Sequence, residues 1–236
     1  HNVPMIDGHK LTGMQHKYRE TVLFFPSQGQ TCHAYCSFCF RWPQFVGMDE
    51  WKFAMKETEL LVKYLQKHTE VTDLLFTGGD PMIMKNKIFA TYIDALIEAD
   101  IPNLQTIRIG TKALGYWPYK FLTEDDAEDT LRTFEKIVKS GKNLAIMAHF
   151  NHPAELSTDA VKQAIAKVRA TGAQIRTQSP LMKNINADAD IWATMWRQQV
   201  NLNCIPYYMF VARDTGAQHY FKVPLVEAWT IFQKAY

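Results

Sequence analysis

Thr21-Val22-Leu23-Phe24-Phe25-Pro26-Ser27-Gln28-Gly29-Gln30-Thr31-Cys32-His33-Ala34-Tyr35-Cys36-Ser37-Phe38-Cys39 runs from an apolar, β-branched strand straight into a loop with three cysteines. The CxxxCxxC spacing offers three thiolates to one metal centre with no fourth cysteine nearby, since Cys204 is far downstream in an apolar, strand-like stretch. A closed structural zinc site wants four protein ligands, and the usual four-cysteine iron–sulfur spacings differ from this one. Three ligands suit a [4Fe–4S] cluster with one iron left open. From the loop alone, a zinc site completed by His33 and a set of free or disulfide-bonded thiols stay as alternatives. Four cysteines in 236 residues, with no visible signal peptide, are sparse for a disulfide scaffold.

Outward from this loop, strand and helix signals alternate. Candidate strands are Thr21–Phe25, Thr72–Thr77, Leu104–Gly110, Asn143–Phe150, Ala173–Gln178 and Leu202–Val211, each apolar enough to be buried on both faces of a parallel sheet. Between and after them lie amphipathic stretches of helical length: Asp49–His68, Lys85–Ala99, Glu124–Ser140, Thr158–Thr171, Asp188–Gln199 and Val223–Ala235. Thr123 and Ser157 stand where helices should open, and Gly141 and Gly172 where they should stop. Strict alternation predicts an α/β fold with parallel strands and right-handed crossovers, as an open sheet or an incomplete barrel. In either case the active site lies at the carboxyl ends of the strands. Polar residues gather at those ends: the cysteine loop, Thr77-Gly78-Gly79-Asp80-Pro81, Gly110-Thr111-Lys112, His149-Phe150-Asn151-His152-Pro153, Gln178-Ser179, and Tyr207-Tyr208 running to Arg213-Asp214.

Composition narrows the class. A hydrophobic content of 47% suits a globular chain with a sizeable core, and a net charge of +2 argues for neither nucleic acid nor a membrane surface. No apolar run approaches the roughly 20 residues of a spanning helix. The expected setting is cytoplasmic, where thiols stay reduced. The expected organisation is an amino-terminal segment, residues 1–20, ahead of a barrel over residues 21–236, with extensions expected at both ends.

Cys32, Cys36 and Cys39, with Phe38 just before the third cysteine, resemble the CxxxCxΦC signature of the radical S-adenosylmethionine (SAM) superfamily, and Gly78-Gly79-Asp80-Pro81 resembles its GGE-type motif. Within that superfamily the chain is most similar to the lysine 2,3-aminomutase family, from His16 to about Glu227. Matching stretches include Leu74–Asp80, Ile107-Arg108-Ile109-Gly110, His149–Pro153, Gln178-Ser179 and Ile205-Pro206-Tyr207-Tyr208.

The resemblance implies a partial (β/α)6 TIM-type barrel, a [4Fe–4S] cluster on Cys32, Cys36 and Cys39, and SAM on the open iron. Reductive cleavage of SAM would give a 5′-deoxyadenosyl radical for hydrogen abstraction, with an external reductant such as flavodoxin or ferredoxin supplying the electron. It makes Phe38, Gly78, Gly79, Asp80, His149 and Gln178 candidate SAM contacts, with Asp80 accepting from the SAM ammonium. The implied reaction is an aminomutase-like isomerisation of a small-molecule amino acid, in a chain that is a candidate homo-oligomer. Aminomutases of this type also use pyridoxal phosphate (PLP). Lys17 and Tyr18 match its phosphate-binding segment in character, but Thr21 stands where the family has a second phosphate-binding arginine. The family's Schiff-base lysine lies beyond the point matching Tyr236, so a radical SAM reaction without PLP stays open. A non-catalytic iron–sulfur or zinc protein is the competing class. Arg41 matches the arginine that grips the substrate α-carboxylate. Arg213 stands where lysine-specific members carry an acidic residue, which points to a substrate other than lysine with a second anionic group.

Overall fold

The computed structural model describes residues 2–42, 54–212 and 216–236. Six parallel strands appear where β-branched and aromatic residues cluster: β4 (Thr21–Phe24), β5 (Asp73–Phe76), β6 (Thr106–Thr111), β7 (Asn143–His149), β8 (Gln174–Leu181) and β9 (Ile205–Val211). They pair in chain order into a curled half-barrel. Helices α1 (Thr58–Lys67), α2 (Asn86–Glu98), α4 (Ala127–Lys139), α5 (Asp159–Ala170) and α6 (Ala189–Asn201) make the crossovers. The short α3 (Ala113–Tyr116) follows β6, while α7 (Gln218–Phe221) and α8 (Leu225–Ala235) follow β9. The expected partial barrel with parallel strands is the observed fold.

Three details depart from the sequence reading. The amino-terminal segment is partly strand: β1 (Met5–Ile6) and β2 (His9–Lys10) form a hairpin, and β3 (Met14–Tyr18) joins the sheet edge antiparallel to β4. Helix α1 starts at Thr58 rather than Asp49. Met55 instead bridges Pro26, and the expected stretch 49–53 lies outside the described residues. The helix starts also shift. Thr158, not Ser157, caps α5 by accepting from Val161 N. Helix α4 starts at Ala127, because Asp126 is engaged elsewhere: it takes the buried Lys120 ammonium at 2.9 and 3.0 Å and the Asn86 N–H at 2.6 Å. Gly141 and Gly172 stop their helices as expected, in left-handed conformations at φ +84° and +91°.

The largest departure concerns the strands themselves. They were expected to be apolar on both faces, yet β4, β5, β6 and β8 alternate. Val22, Phe24, Leu74, Phe76, Ile107 and Ile109 are sealed in the core beneath the helices. Thr21, Asp73, Thr106, Arg108, Arg176 and Gln178 face the half-open lumen. An incomplete barrel has no facing strands to fill its inside, so polar and ionic groups tolerate that face where they would not tolerate a closed core. Strand β9 ends the sheet, with Ile205, Tyr207, Tyr208, Phe210 and Val211 all exposed. Among the described residues no helix is long and apolar enough to cross a membrane.

Candidate functional site

The cysteine loop leaves β4 through a 3₁₀ turn (Ser27–Gly29) and lies at the carboxyl end of the sheet. Its start is fixed by the loop that follows β5. Asp80 N donates to Thr31 O at 2.9 Å, and a Cβ on Gly79 would sit 2.1 Å from that same carbonyl. A Cβ on Gly78, whose φ is +137°, would meet the Gln30 amide at 2.2 Å. The two glycines were expected to let backbone approach a ligand. The space they leave is filled here by Gln30 and Thr31, the two residues immediately before Cys32. Their side-chain-free surface therefore positions the first cysteine.

Cys32, Cys36 and Cys39 are all free and half-buried. Between the first two the chain turns through Tyr35, exposed and left-handed at φ +46°, and Cys39 N closes the loop onto Cys36 O at 3.0 Å. Burial pushes all three thiols up, Cys36 to about 11, with the Lys112 ammonium opposing it there. No two of the three are bridged. Nor does any of them belong to a set of three ligand atoms within 4.8 Å of one another among the described residues. Cys204 stands apart in the core at 3% exposure, as expected of a small apolar residue.

Around the loop several strand ends converge. Asp80 is 1% exposed. Its Oδ1 accepts from Met82 N at 3.0 Å and Thr111 Oγ1 at 2.7 Å, and its Oδ2 from Lys112 N at 2.9 Å. Burial raises its pKa, and these donors oppose the rise. Three of its four acceptor positions are thus spent within the chain. Through these bonds Asp80 ties the β5 loop to the end of β6. Thr111 passes the connection on, accepting from Ala113 N at the start of α3. The Lys112 ammonium pairs with Glu155, which also accepts from the backbone N–H groups of Asn151 and His152 in a capping box. The Tyr116 hydroxyl is buried beside Cys32, Cys36 and Asp80. It has the His33 backbone near it but no partner at hydrogen-bond distance among the described residues.

His149 ends β7 opposite Gln178 of β8. Its Nε2 lies 2.6 Å from Asn151 Oδ1, whose acceptor character puts the ring proton on Nε2 and leaves Nδ1 a lone pair. Burial, then the Lys112 charge, pushes its pKa down to about 3. Phe38 packs edge-on against His149 (5.9 Å between ring centres) and against Phe221 (5.8 Å). Phe38, His149, Gly78, Gly79 and Asp80 therefore gather around the cysteines, with Gln178 one strand further. The Arg41 guanidinium lies over the rings of Phe25 and Phe40, and burial lowers its pKa to about 10. Arg213 and Asp214 lie outside the described residues.

Lys17 and Tyr18 are elsewhere, on the antiparallel edge strand at the amino end of the barrel, with Lys17 Nζ 5.8 Å from the Tyr18 ring centre. Tyr18 borders a lumen cavity of about 450 Å³, together with Thr21, Asp73, Arg108, Arg176 and Tyr208. Arg108 is paired with Asp73, which also accepts from Thr21 Oγ1 at 2.9 Å. Arg176 hydrogen-bonds Gln174 at 3.1 Å and lies 5.3 Å from the Tyr207 ring centre, with no carboxylate at ion-pair distance among the described residues. Sequence reasoning did not single out Arg176. Strand alternation was the available signal, since Arg176 shares a face with Gln178 between Ile175 and Thr177.

No family model matches the chain. A protein of Aquifex aeolicus provisionally named L-lysine 2,3-aminomutase is 34% identical over 218 residues, covering 92% of this chain and 56% of that relative. The glutamate 2,3-aminomutase of Clostridioides difficile is 26% identical over 190 residues, covering 80% of this chain and 42% of its own length. The chain thus spans about half the length of the curated relatives it matches. Among solved structures, native anSMEcpe with bound AdoMet and the Cp18Cys peptide superimposes with a TM-score of 0.62 at 11% identity, covering 90% of this chain and 57% of that chain. That likeness is one of fold.

Proposed function

Because the chain belongs to the lysine 2,3-aminomutase-like family of the radical SAM superfamily, we propose that Cys32, Cys36 and Cys39 hold a [4Fe–4S] cluster. SAM would bind beside it among Phe38, the Gly78–Gly79 backbone, His149 and Gln178. The observation that carries the reading is the loop itself: three free, half-buried thiols in a CxxxCxxC run at the carboxyl end of a half-barrel. When bound, the cluster and SAM supply an electron and a 5′-deoxyadenosyl radical for hydrogen abstraction. The chain's own residues prepare the place. Burial keeps each thiol protonated until a metal takes it, and Lys112 favours the Cys36 thiolate. Phe38 and Phe221 form an apolar wall that excludes water. Neutral His149 presents Nδ1 as an acceptor for an amino or ammonium group. Asp80 acts by positioning, through Thr111 and the Lys112 backbone, rather than by contact.

The reaction class is the shift of an amino group between adjacent carbons of an amino acid, with the electron delivered by a flavodoxin- or ferredoxin-like protein. The substrate carries a second anionic group. The likeness to a glutamate 2,3-aminomutase is compatible with this. Arg41 is assigned to the α-carboxylate and Arg213 to the distal group. The lower cavity, lined by Tyr18 and Arg176, also offers a place for the phosphate of PLP, with Lys17 at its rim.

Anaerobic reconstitution with iron and sulfide, followed by dithionite and SAM, tests the core of the reading. Release of 5′-deoxyadenosine is expected, with loss of the brown chromophore in each of Cys32→Ala, Cys36→Ala and Cys39→Ala and its retention in Cys204→Ala. A fully loaded cluster that releases none would overturn it. Turnover of lysine but not of glutamate by a longer, reconstituted protein would overturn the substrate assignment alone.

A further inference from the structure

At the opposite end of the barrel from the cysteines, a second set of metal-ligating side chains meets. His16 on β3, His68 at the carboxyl end of α1 and Glu70 in the turn before β5 bring one ligand atom each to within 4.8 Å of one another. No part of the cysteine-site chemistry uses them. We propose that His16, His68 and Glu70 form a binding site for a single divalent cation of the zinc class, with water or the Tyr64 hydroxyl in the fourth position.

The donor chemistry fits. Two imidazoles and one carboxylate are a known open zinc set, whereas hard cations such as Mg²⁺ and Ca²⁺ prefer all-oxygen sites. The tautomer of His16 is already fixed. Its Nε2 lies 3.1 Å from the Arg19 carbonyl, to which it donates, so Nδ1 carries the lone pair and currently accepts from Tyr64 OH at 2.6 Å. An imidazole held by a backbone carbonyl through one nitrogen and free to ligate through the other is the usual outer support of a metal-bound histidine. His68 Nδ1 and Glu70 Oε1 are 2.9 Å apart, and the His68 ring stacks on Tyr64 at 4.1 Å and meets His16 edge-on at 5.7 Å. Tetrahedral zinc with nitrogen and oxygen ligands needs donor atoms roughly 3.3 Å apart. All three donor atoms already lie within 4.8 Å of one another, and side chains 30% and 36% exposed at His68 and Glu70 have room to adjust.

The location gives the site a purpose. It joins β3 to α1 and to the turn before β5, segments about fifty residues apart in sequence (|i−j| = 48 for His16 and Tyr64). At this end of the barrel the site ties elements of the fold together and lies away from the cysteine loop. A cation bound only in the folded state would stabilise it by an amount that rises with the logarithm of its free concentration above Kd, and would pin the edge strand that carries Lys17 and Tyr18.

The test must keep the cysteines out of the reading. The full chain bearing Cys32→Ala, Cys36→Ala and Cys39→Ala together is freed of metal, given zinc, and passed through gel filtration. It should retain about one equivalent of zinc, and its cobalt(II) form should show ligand-field bands without thiolate charge transfer. Thermal unfolding should move up by several degrees with zinc. His68→Ala and Glu70→Gln, each checked for fold by circular dichroism, should lose the retained metal and the shift, while His33→Ala should keep both. Absence of retained zinc from the cysteine-free chain, or equal retention in His68→Ala and Glu70→Gln, would overturn the proposal. Neither result bears on the cluster at Cys32, Cys36 and Cys39, whose test is separate.

Discussion

The two faces of the curled sheet share the same strands and divide the molecule's work between them. On the outer face Phe24 and Phe76 pack edge-on at 5.3 Å, Phe76 meets Phe89 and Tyr92, and all four rings are buried. On the inner face, one residue along in each strand, Thr21, Asp73 and Arg108 form a hydrogen-bonded ion pair, with Arg176 nearby and a cavity between them. The same hydrogen-bonded ladder thus supports a close-packed layer on one side and a wet, charged layer on the other. The outer face should govern stability and the inner face what binds.

The largest effect belongs to the outer face. Phe76→Ala should cost about 3–5 kcal/mol in chemical denaturation, the range for emptying a sealed aromatic site. Arg176→Gln, on the inner face, should stay within about 0.5 kcal/mol while weakening whatever anion the lumen holds. Equal losses from the two would break the division. Next comes the junction of loop and sheet. Gly79→Ala places a methyl 2.1 Å from the Thr31 carbonyl, backbone that cannot rotate away. It should cost about 1–3 kcal/mol and reduce iron incorporation, because the residue displaced precedes Cys32. Gly110→Ala is the control, since its Cβ would meet nothing closer than 3.6 Å. Similar iron loading in both variants would show that the close approach at Gly79 does not position the cysteine.

Much of this was legible in the sequence. Six strands were placed from β-branched and aromatic runs, and the cysteines, Phe38 and His149, singled out by short motifs and the family resemblance, do lie together at the strand ends. What escaped was non-local. The edge strand Met14–Tyr18 is polar along most of its length (Met-Gln-His-Lys-Tyr) and is a strand only because β4 offers it a partner. The glycine pair was read correctly as a place of close approach, but sequence cannot tell an approaching ligand from the chain's own Thr31. Thr123 looks like the helix opening, with Asp126 in the first turn, yet Asp126 is the partner of buried Lys120, a pairing that depends on how α4 sits over the turn at Pro118–Phe121. The same holds for Asp80, whose role in joining two loops appears only once both are in place.

Asp80 gives the sharpest test of positioning against contact. Asp80→Asn keeps the shape, yet turning an amide NH2 toward Lys112 N sets donor against donor and leaves a buried group unsatisfied. The expected cost is about 1–3 kcal/mol, with iron binding and SAM affinity falling together. A variant that keeps full stability and loses only SAM affinity would place Asp80 in direct contact with the ligand.

The smallest effect concerns protonation of His149, and it separates the buried carboxyl end from the wet lumen by pH alone. Burial and the Lys112 ammonium hold its folded pKa at about 3, below the ordinary 6.5. The unfolded chain therefore binds a proton at His149 that the folded chain refuses between those values. Stability contributed by the neutral ring is complete above about pH 6.5 and is lost progressively as pH falls toward 3. The His149 ring signals in nuclear magnetic resonance should accordingly stay constant from pH 8 to about 4. In His149→Gln, which cannot titrate, this part of the acid destabilisation should vanish, so that the stability gap between the two proteins changes between pH 7 and pH 4. A His149 titration with a midpoint near 6.5 would mean the ring is hydrated. The apolar wall of Phe38 and Phe221 would then not exclude water from the cysteine loop.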